Sequence, residues 1–318
     1  MSNKRKKSRP APRPSGYRDP KPAAAPARRR GILDSMFASR GPGSSSMPRV
    51  RTALTRGVVT VLGSPAVVIG LVLYLLGVWC ALIAMGYQGP FAPLANLLAL
   101  PPVGTSLDAS LATSLFGLQG GLFGILIFLV ARAIALALLV AGVVEVLEDG
   151  HVTGEILRRA LRALPVAFAT CIIGVGILTL SSFFGPILGP GFGILLQVGA
   201  LVVGLYLFTF APIIAVDEGR TLPECLARSV RAARLPGTGN LALAALYVVP
   251  SIAVIVAPGK PGNLIGVNPT IGAWVFALLI NLLHVVMLTA FAFRYLSVAH
   301  EVPEPPERPP PSTVRGRR

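Results

Sequence analysis

Charge is scarce in this chain. Of its 318 residues only 13% are Asp, Glu, Lys or Arg, while 53% are hydrophobic and the mean hydropathy is +0.70. Soluble globular domains carry about a quarter charged residues, so this balance excludes one. Cysteine is scarcer still. Cys80 and Cys171 fall in apolar runs and Cys225 in a polar connection, which gives neither a disulfide framework nor a metal spacing. His151, His284 and His300 are too scattered for a zinc site. The acids beside histidines, Glu148 and Asp149 next to His151 and Glu301 next to His300, lie in polar connections. No catalytic constellation and no cofactor motif emerges, and the chain reads as non-enzymatic.

What charge there is has one sign and one address. The net charge is +16, and residues 1–56 hold 15 of the 29 Lys and Arg against two acids. Most of the basicity is therefore a tail on an apolar body. Residues 1–30 are Lys, Arg, Pro, Ala and Ser with Tyr17 as the one aromatic, too little apolar surface to offset the entropy of ordering. Disorder is expected there. In the following GILDSMFASR, Ile32, Leu33, Met36 and Phe37 share one face of a short helix suited to a membrane surface. The far end, 298–318, is a proline-rich tail in which PxxP patterns occur, though an extended solvated end is the plainer reading.

Between the tails, 57–297 is a run of apolar segments. A bilayer core needs about 20 such residues per helix. Six are expected, near 58–86, 115–144, 164–185, 191–215, 239–257 and 270–296. The first is too long for a signal-peptide core and reads as an uncleaved span. Lys and Arg set the orientation, because cytoplasmic connections collect them. The N-terminal segment, the connections 145–163 and 216–238 and the C-terminal end hold 27 of the 29, whereas 87–114, 186–190 and 258–269 hold only Lys260. Both termini are thus expected in the cytoplasm. Trp79, Tyr87 and Trp274 near the outer ends, and Phe208, Phe210, Phe291 and Tyr295 near the inner ends, fit aromatic belts. The fold class expected is all-α, a polytopic membrane protein of six transmembrane helices.

Two of the basic connections resemble one another. EDGHVTGEILRRALRA (148–163) aligns without a gap on DEGRTLPECLARSVRA (217–232), at an offset of 69 residues. Gly150 matches Gly219, Glu155 matches Glu224, Arg159 matches Arg228 and Arg162 matches Arg231. So many coincidences in register indicate a duplication. Each copy reads as an acidic helix end, a Gly turn and an amphipathic helix leading into the next span, with Thr221 and Glu224 forming a capping box. Such a helix can lie at the interface with its arginines on anionic headgroups. A weaker third copy, MPRVRTALTRGVVTVLGSP (47–65), precedes the first span. The repeating unit is then a basic surface helix plus a hairpin.

The stretch APIIAVDEGRTLPECLARSVRAAR (211–234) resembles a pattern of bacterial six-helix membrane proteins, among them the membrane domain that accompanies some glycerophosphoryl diester phosphodiesterases. Pro212, Asp217, Glu218, Gly219, Leu226, Arg228 and Ser229 carry the resemblance. It implies a non-catalytic module of a bacterial inner membrane. The flanking tails are low-complexity, so phosphodiesterase activity does not carry over.

One cation escapes this topology. Arg132 stands near the middle of the second expected span, about 18 Å from its inner end at 1.5 Å per residue. Insertion there costs about 2.5 to 3.5 kcal/mol, so the side chain should face the bundle interior. No acid lies at comparable depth. Expected partners are Asn281 and His284, at i and i+3 in the sixth span, or carbonyls freed at Pro250. Either these residues line a polar path for a small anionic solute, or they form a structural hydrogen-bond cluster. The second is plainer, because one cation without a carboxylate gives no proton relay. Gly117, Gly120, Gly121 and Gly124, and the group Gly189, Gly191 and Gly193, suit close helix packing. The connection 90–114 reads as a loop or an interfacial helix.

Two functions follow. One is organisation of the membrane or envelope, with anionic phospholipid headgroups as partners and the tails available to cytoplasmic proteins. The other is a transporter or channel using Arg132, Asn281 and His284. Nucleic acid explains the basic tail at a higher cost in assumptions.

Overall fold

The computed structural model describes residues 46–84, 98–101, 117–236, 239–256 and 269–304. The expectations for the basic tail, the 31–40 segment, Lys260 and the tail beyond 304 lie outside these residues. Among the described residues all regular structure is helical: α1 (Val50–Leu62), α2 (Pro65–Ala84), α3 (Gly117–Asp149), α4 (Ile156–Leu188), α5 (Pro190–Phe208), α6 (Ala211–Asp217), α7 (Leu222–Ala233), α8 (Asn240–Val256) and α9 (Pro269–Leu296), then a 3-10 turn at Ala299–Glu301.

Four stretches are long and apolar enough to cross a membrane: Leu129–Asp149, Ile156–Ser181, Gly191–Asp217 and Trp274–Leu296. The bent pair α1 and α2 adds a fifth if taken as one span. The chain is therefore a helical integral membrane protein. The described part of each expected apolar run is helical, with breaks at Ser64 in the first and at Thr209–Phe210 in the fourth, and α8 is an apolar helix of 17 residues.

The first expected span is not one helix. The chain turns by 75° between α1 and α2. Pro65 offers no N–H to continue the ladder and pushes Ser64 out of the helical region. The N–H of Gly63 closes α1 on the Val59 carbonyl at 2.8 Å. Val50, Ala53, Gly57 and Val61, spaced by three and four, form the buried stripe of α1, while Arg51 and Arg56 are exposed. That stripe packs on α9. A Cβ at Gly57 would stand 2.7 Å from the Val286 carbonyl oxygen, so the close approach requires glycine.

A second departure concerns α4. The amphipathic segment from 156 and the apolar run from 164 were separate expectations, yet they form one helix of 33 residues. At 1.5 Å per residue it is about 50 Å long, against about 30 Å of hydrocarbon. It is longer than one crossing needs, and its basic first turns run without a break into the apolar segment instead of forming a separate helix. In the matching position, α7 is a separate short helix, entered through the expected capping box, with Cys225, Arg228, Ser229, Ala232 and Ala233 buried.

The aromatic belt expected at the inner ends is largely core. Phe210, Phe291 and Tyr295 are at most 1% exposed and pack edge-on or tilted, with centroids 6.0 Å apart for Phe210 and Phe291 and 5.7 Å for Phe210 and Tyr295. Their ring faces join α6 to α9. The glycine expectations also shift. Gly189 (φ 88°) makes the turn into α5, but a Cβ at Gly191 would meet nothing within 4 Å.

Candidate functional site

Two polar clusters lie inside this frame, one in mid-bundle and one at the arginine-bearing end. Arg132 on α3 is fully buried, and its Nη2 donates to the Ala99 carbonyl. The N–H of Leu100 donates to the Tyr247 hydroxyl oxygen at 2.9 Å. That carbonyl and that N–H belong to one peptide group. Arg132 from α3 and Tyr247 from α8 therefore clamp it from both ends.

Tyr247 passes the chain of contacts to α9. Its hydroxyl is 2.8 Å from His284 Nδ1, with the rings edge to face at 5.7 Å. His284 Nε2 has no hydrogen-bond partner among the described residues. Asn281, one turn away, donates from Nδ2 to the Ala277 carbonyl of its own helix at 2.8 Å, and its Oδ1 also has no partner among the described residues. Arg132 and His284 are thus joined through Tyr247, and Asn281 stays on α9.

A carbonyl that holds Arg132 comes from Ala99, in the connection expected to be a loop or surface helix, and Leu98 to Pro101 form a buried, non-helical turn there. Beside Pro250, Ser251 Oγ donates to the Tyr247 carbonyl at 2.7 Å. Tyr247 itself was missed, since one tyrosine in an apolar run carries no signal of its own.

The second cluster contains the matched motif residues. Gly150 (φ 77°) and Gly219 (φ 64°) both take the left-handed conformation that favours glycine. After the first, Arg159 Nη1 meets Glu148 Oε2 at 2.7 Å and its Nε lies 3.9 Å from Glu145 Oε1. Glu145 is buried and also accepts the Thr153 N–H at 2.8 Å. After the second, Arg228 Nε meets Glu218 Oε1 at 2.8 Å. Its Nη2 and Nη1 donate to the carbonyls of Ala299 (2.7 Å) and Val302 (3.3 Å). The Tyr295 hydroxyl donates to Glu218 and accepts from Arg228 Nε at 3.1 Å. Arg220 bonds the other Glu218 oxygen and reaches Glu304 Oε1 at 2.7 Å. One carboxylate, Glu218, thus ties α7, α9 and the C-terminal segment together.

Arg228 is buried, and the partly exposed Arg159 is already paired with acids. Their guanidiniums are spent on acids and carbonyls. Glu224 accepts the Thr221 N–H at 3.1 Å, and Glu155 pairs with Arg158 at 2.5 Å. Arg231 reaches Glu304 only through its longer-range field. The Arg162 side chain lies over Gly219, where a Cβ would stand 3.1 Å from its Nη1.

The protonation states agree with this geometry. The hydrogen bond from Arg220 holds Glu304 below the usual carboxylate range, and Glu304 followed by Glu218 holds Arg220 above its ordinary value. Burial pushes the Cys225 thiol up to about 11, helped by Glu218 and Glu224. It remains a protonated, unreactive thiol at neutral pH.

Gly219→Ala is expected to cost about 1–2 kcal/mol for the left-handed conformation, plus the displacement of Arg162. Gly150→Ala has only the first cost, because a Cβ there meets nothing within 4 Å. Denaturant titrations in detergent should therefore rank Gly219→Ala as the less stable. Equal losses would remove the role assigned to Arg162.

Sequence and structure comparisons place no known protein beside this arrangement: no family model, no curated protein and no solved structure matches the chain.

Proposed function

We propose that this chain is a non-enzymatic protein of a bacterial inner membrane that gathers anionic phospholipid at its arginine-bearing face. In this reading the face is cytoplasmic, as are both termini, and six helices span the bilayer. The tails are open to cytoplasmic protein partners. The observation that carries the reading is α1, a helix set at 75° to the apolar α2, with its apolar stripe docked on α9 and Arg51 and Arg56 exposed. A basic amphipathic helix held across the end of an apolar bundle suits the plane of the headgroups. Arg158 and Arg162, exposed on the first turns of α4, add to the same field.

Duplication of the basic unit is part of this proposal. It is supported by the shared left-handed glycines and by the pairing of Arg159 and of Arg228 with an acid just before each glycine. The resemblance to six-helix membrane modules points the same way. The burial of Arg132, Asn281 and His284 favours a scaffold over a solute path.

The test uses the full chain in vesicles of equal phosphatidylglycerol and phosphatidylcholine, with spin-labelled lipids reporting which species is held at the protein surface. Phosphatidylglycerol should be preferred, and each of Arg51→Gln and Arg56→Gln should lower the preference by about fivefold, or ~1 kcal/mol per charge. Raising salt to about 1 M, where the Debye length is about 3 Å, should erase most of it. A preference that ignores both salt and the two substitutions would sink the proposal.

A further inference from the structure

The bend after α1 leaves a gap. α2 packs on α1 and on α9, and between it and α3 lies an apolar cleft of about 330 Å³. Val61 and Thr60 of α1 lie at its foot, Gly70 and Tyr74 of α2 form one wall, and Ala135 to Val146 of α3 form the other. Thr289 closes the back, its hydroxyl already donated to the Val285 carbonyl at 2.7 Å. Almost nothing polar is left to bind a polar solute.

The dimensions select an occupant. From Ala135 to Val146 the cleft runs eleven residues along α3, about 16 Å at 1.5 Å per residue. The hydrocarbon core is about 30 Å thick, so the cleft is one leaflet deep. It begins at the arginine-bearing end, since Val152 and Ile156 line it and Arg158 and Arg159 follow directly on α4. Arg56 precedes Thr60 by one helical turn on α1 and is exposed. An apolar slot of leaflet depth with a cation one turn from its mouth matches an acyl chain joined to an anionic headgroup.

We propose that the cleft between α2 and α3 is a specific phospholipid site, taking one acyl chain along Gly70 and Tyr74 with the phosphate at Arg56. The proposal rests on the reading of α1 as a headgroup-level helix and gives it a defined ligand. The bound lipid restores to α2 the apolar contacts that α3 does not supply, and so holds the α1–α2 bend.

Gly70 supplies the test. It lines the cleft, and a Cβ there meets nothing within 4 Å, so a side chain can be introduced into the slot from this position. The full chain is reconstituted in the same equal mixture of phosphatidylglycerol and phosphatidylcholine, extracted into mild detergent and weighed intact by native mass spectrometry. The parent should retain one phosphatidylglycerol per chain. Gly70→Phe should reduce that retained fraction by about tenfold, with the thermal midpoint kept or raised. Gly70→Ala should retain it. Equal retention by Gly70→Phe overturns the proposal, and so does a dimer in the parent that Gly70→Phe dissolves, which would assign the cleft to a second copy of the chain. The surface preference measured by spin label should be unchanged in Gly70→Phe, so a failure of the cleft and a failure of the interfacial reading are distinguishable.

Discussion

Arg228→Ala is expected to destabilise the protein by about 3 kcal/mol, more than any other change at its arginine-bearing end. Removing one partner of a buried ion pair typically costs about 3–5 kcal/mol, because the charge left behind is not compensated. The side chains of Arg228 and Glu218 are 6% and 16% exposed, so solvent does little to screen the loss. Glu218 keeps Arg220 and the Tyr295 hydroxyl, which places the cost at the lower end of that range. The carbonyls of Ala299 and Val302 lose their donor at the same time. Each such bond contributes about 1 kcal/mol net. The C-terminal turn should therefore detach while the helices remain. Reversible unfolding in mixed micelles measures the cost, and protease cleavage near residue 300 measures the detachment. Arg228→Lys should recover less than half, since an ammonium cannot address a carboxylate and two carbonyls as a planar fork does. Tyr295→Phe should cost about 1.5–2 kcal/mol, having removed a donor to the Glu218 carboxylate and an acceptor of Arg228. A loss for Arg228→Ala no larger than that of Tyr295→Phe would show that Glu218, and not the arginine, organises the cluster.

The helices were legible in the sequence for a simple reason. Those long enough to cross a membrane are long apolar runs, and length with hydropathy alone identifies such a run. The α1–α2 bend was legible in principle from Ser64-Pro65, but the apolar residues on both sides masked it as one span. What could not be read were contacts made by backbone. The Ala99 carbonyl that holds Arg132 has no side-chain signature, and LALP in a connection looks like any apolar stretch. Gly57 sits in TRGVV with nothing to mark it as the point where α1 meets the α9 backbone. The paired motif was legible as residues, and its glycines behave alike. The partners of its arginines were harder to read, because amphipathicity tells which face is polar, and not whether that polarity meets water, lipid or an acid. Glu148 and Glu218, eleven and ten residues before Arg159 and Arg228 in the same motifs, were the available signal.

Arg132→Ala should unlatch the 98–101 segment, and a thiol can report it. With Cys80, Cys171 and Cys225 replaced by alanine, the thiol introduced by Leu100→Cys should resist a membrane-impermeant maleimide, because Leu100 is 2% exposed and its peptide is clamped. Hydrogen bonds to charged groups contribute about 1.5–3 kcal/mol, so losing the arginine should raise the open population and the labelling rate about 10- to 100-fold. Tyr247→Phe removes a neutral partner of about 1 kcal/mol and should raise the rate about fivefold. Both substitutions act on one peptide group, so together they should raise the rate by less than the product of their separate effects if either bond holds the segment only with the other in place. The ranking decides between the two meanings of a buried arginine. A sealed structural clamp requires slow labelling in the parent and Arg132→Ala above Tyr247→Phe. Fast labelling in the parent, unchanged by Arg132→Ala, would mean that water reaches the mid-bundle, and Arg132, Asn281 and His284 would then line a path for solute.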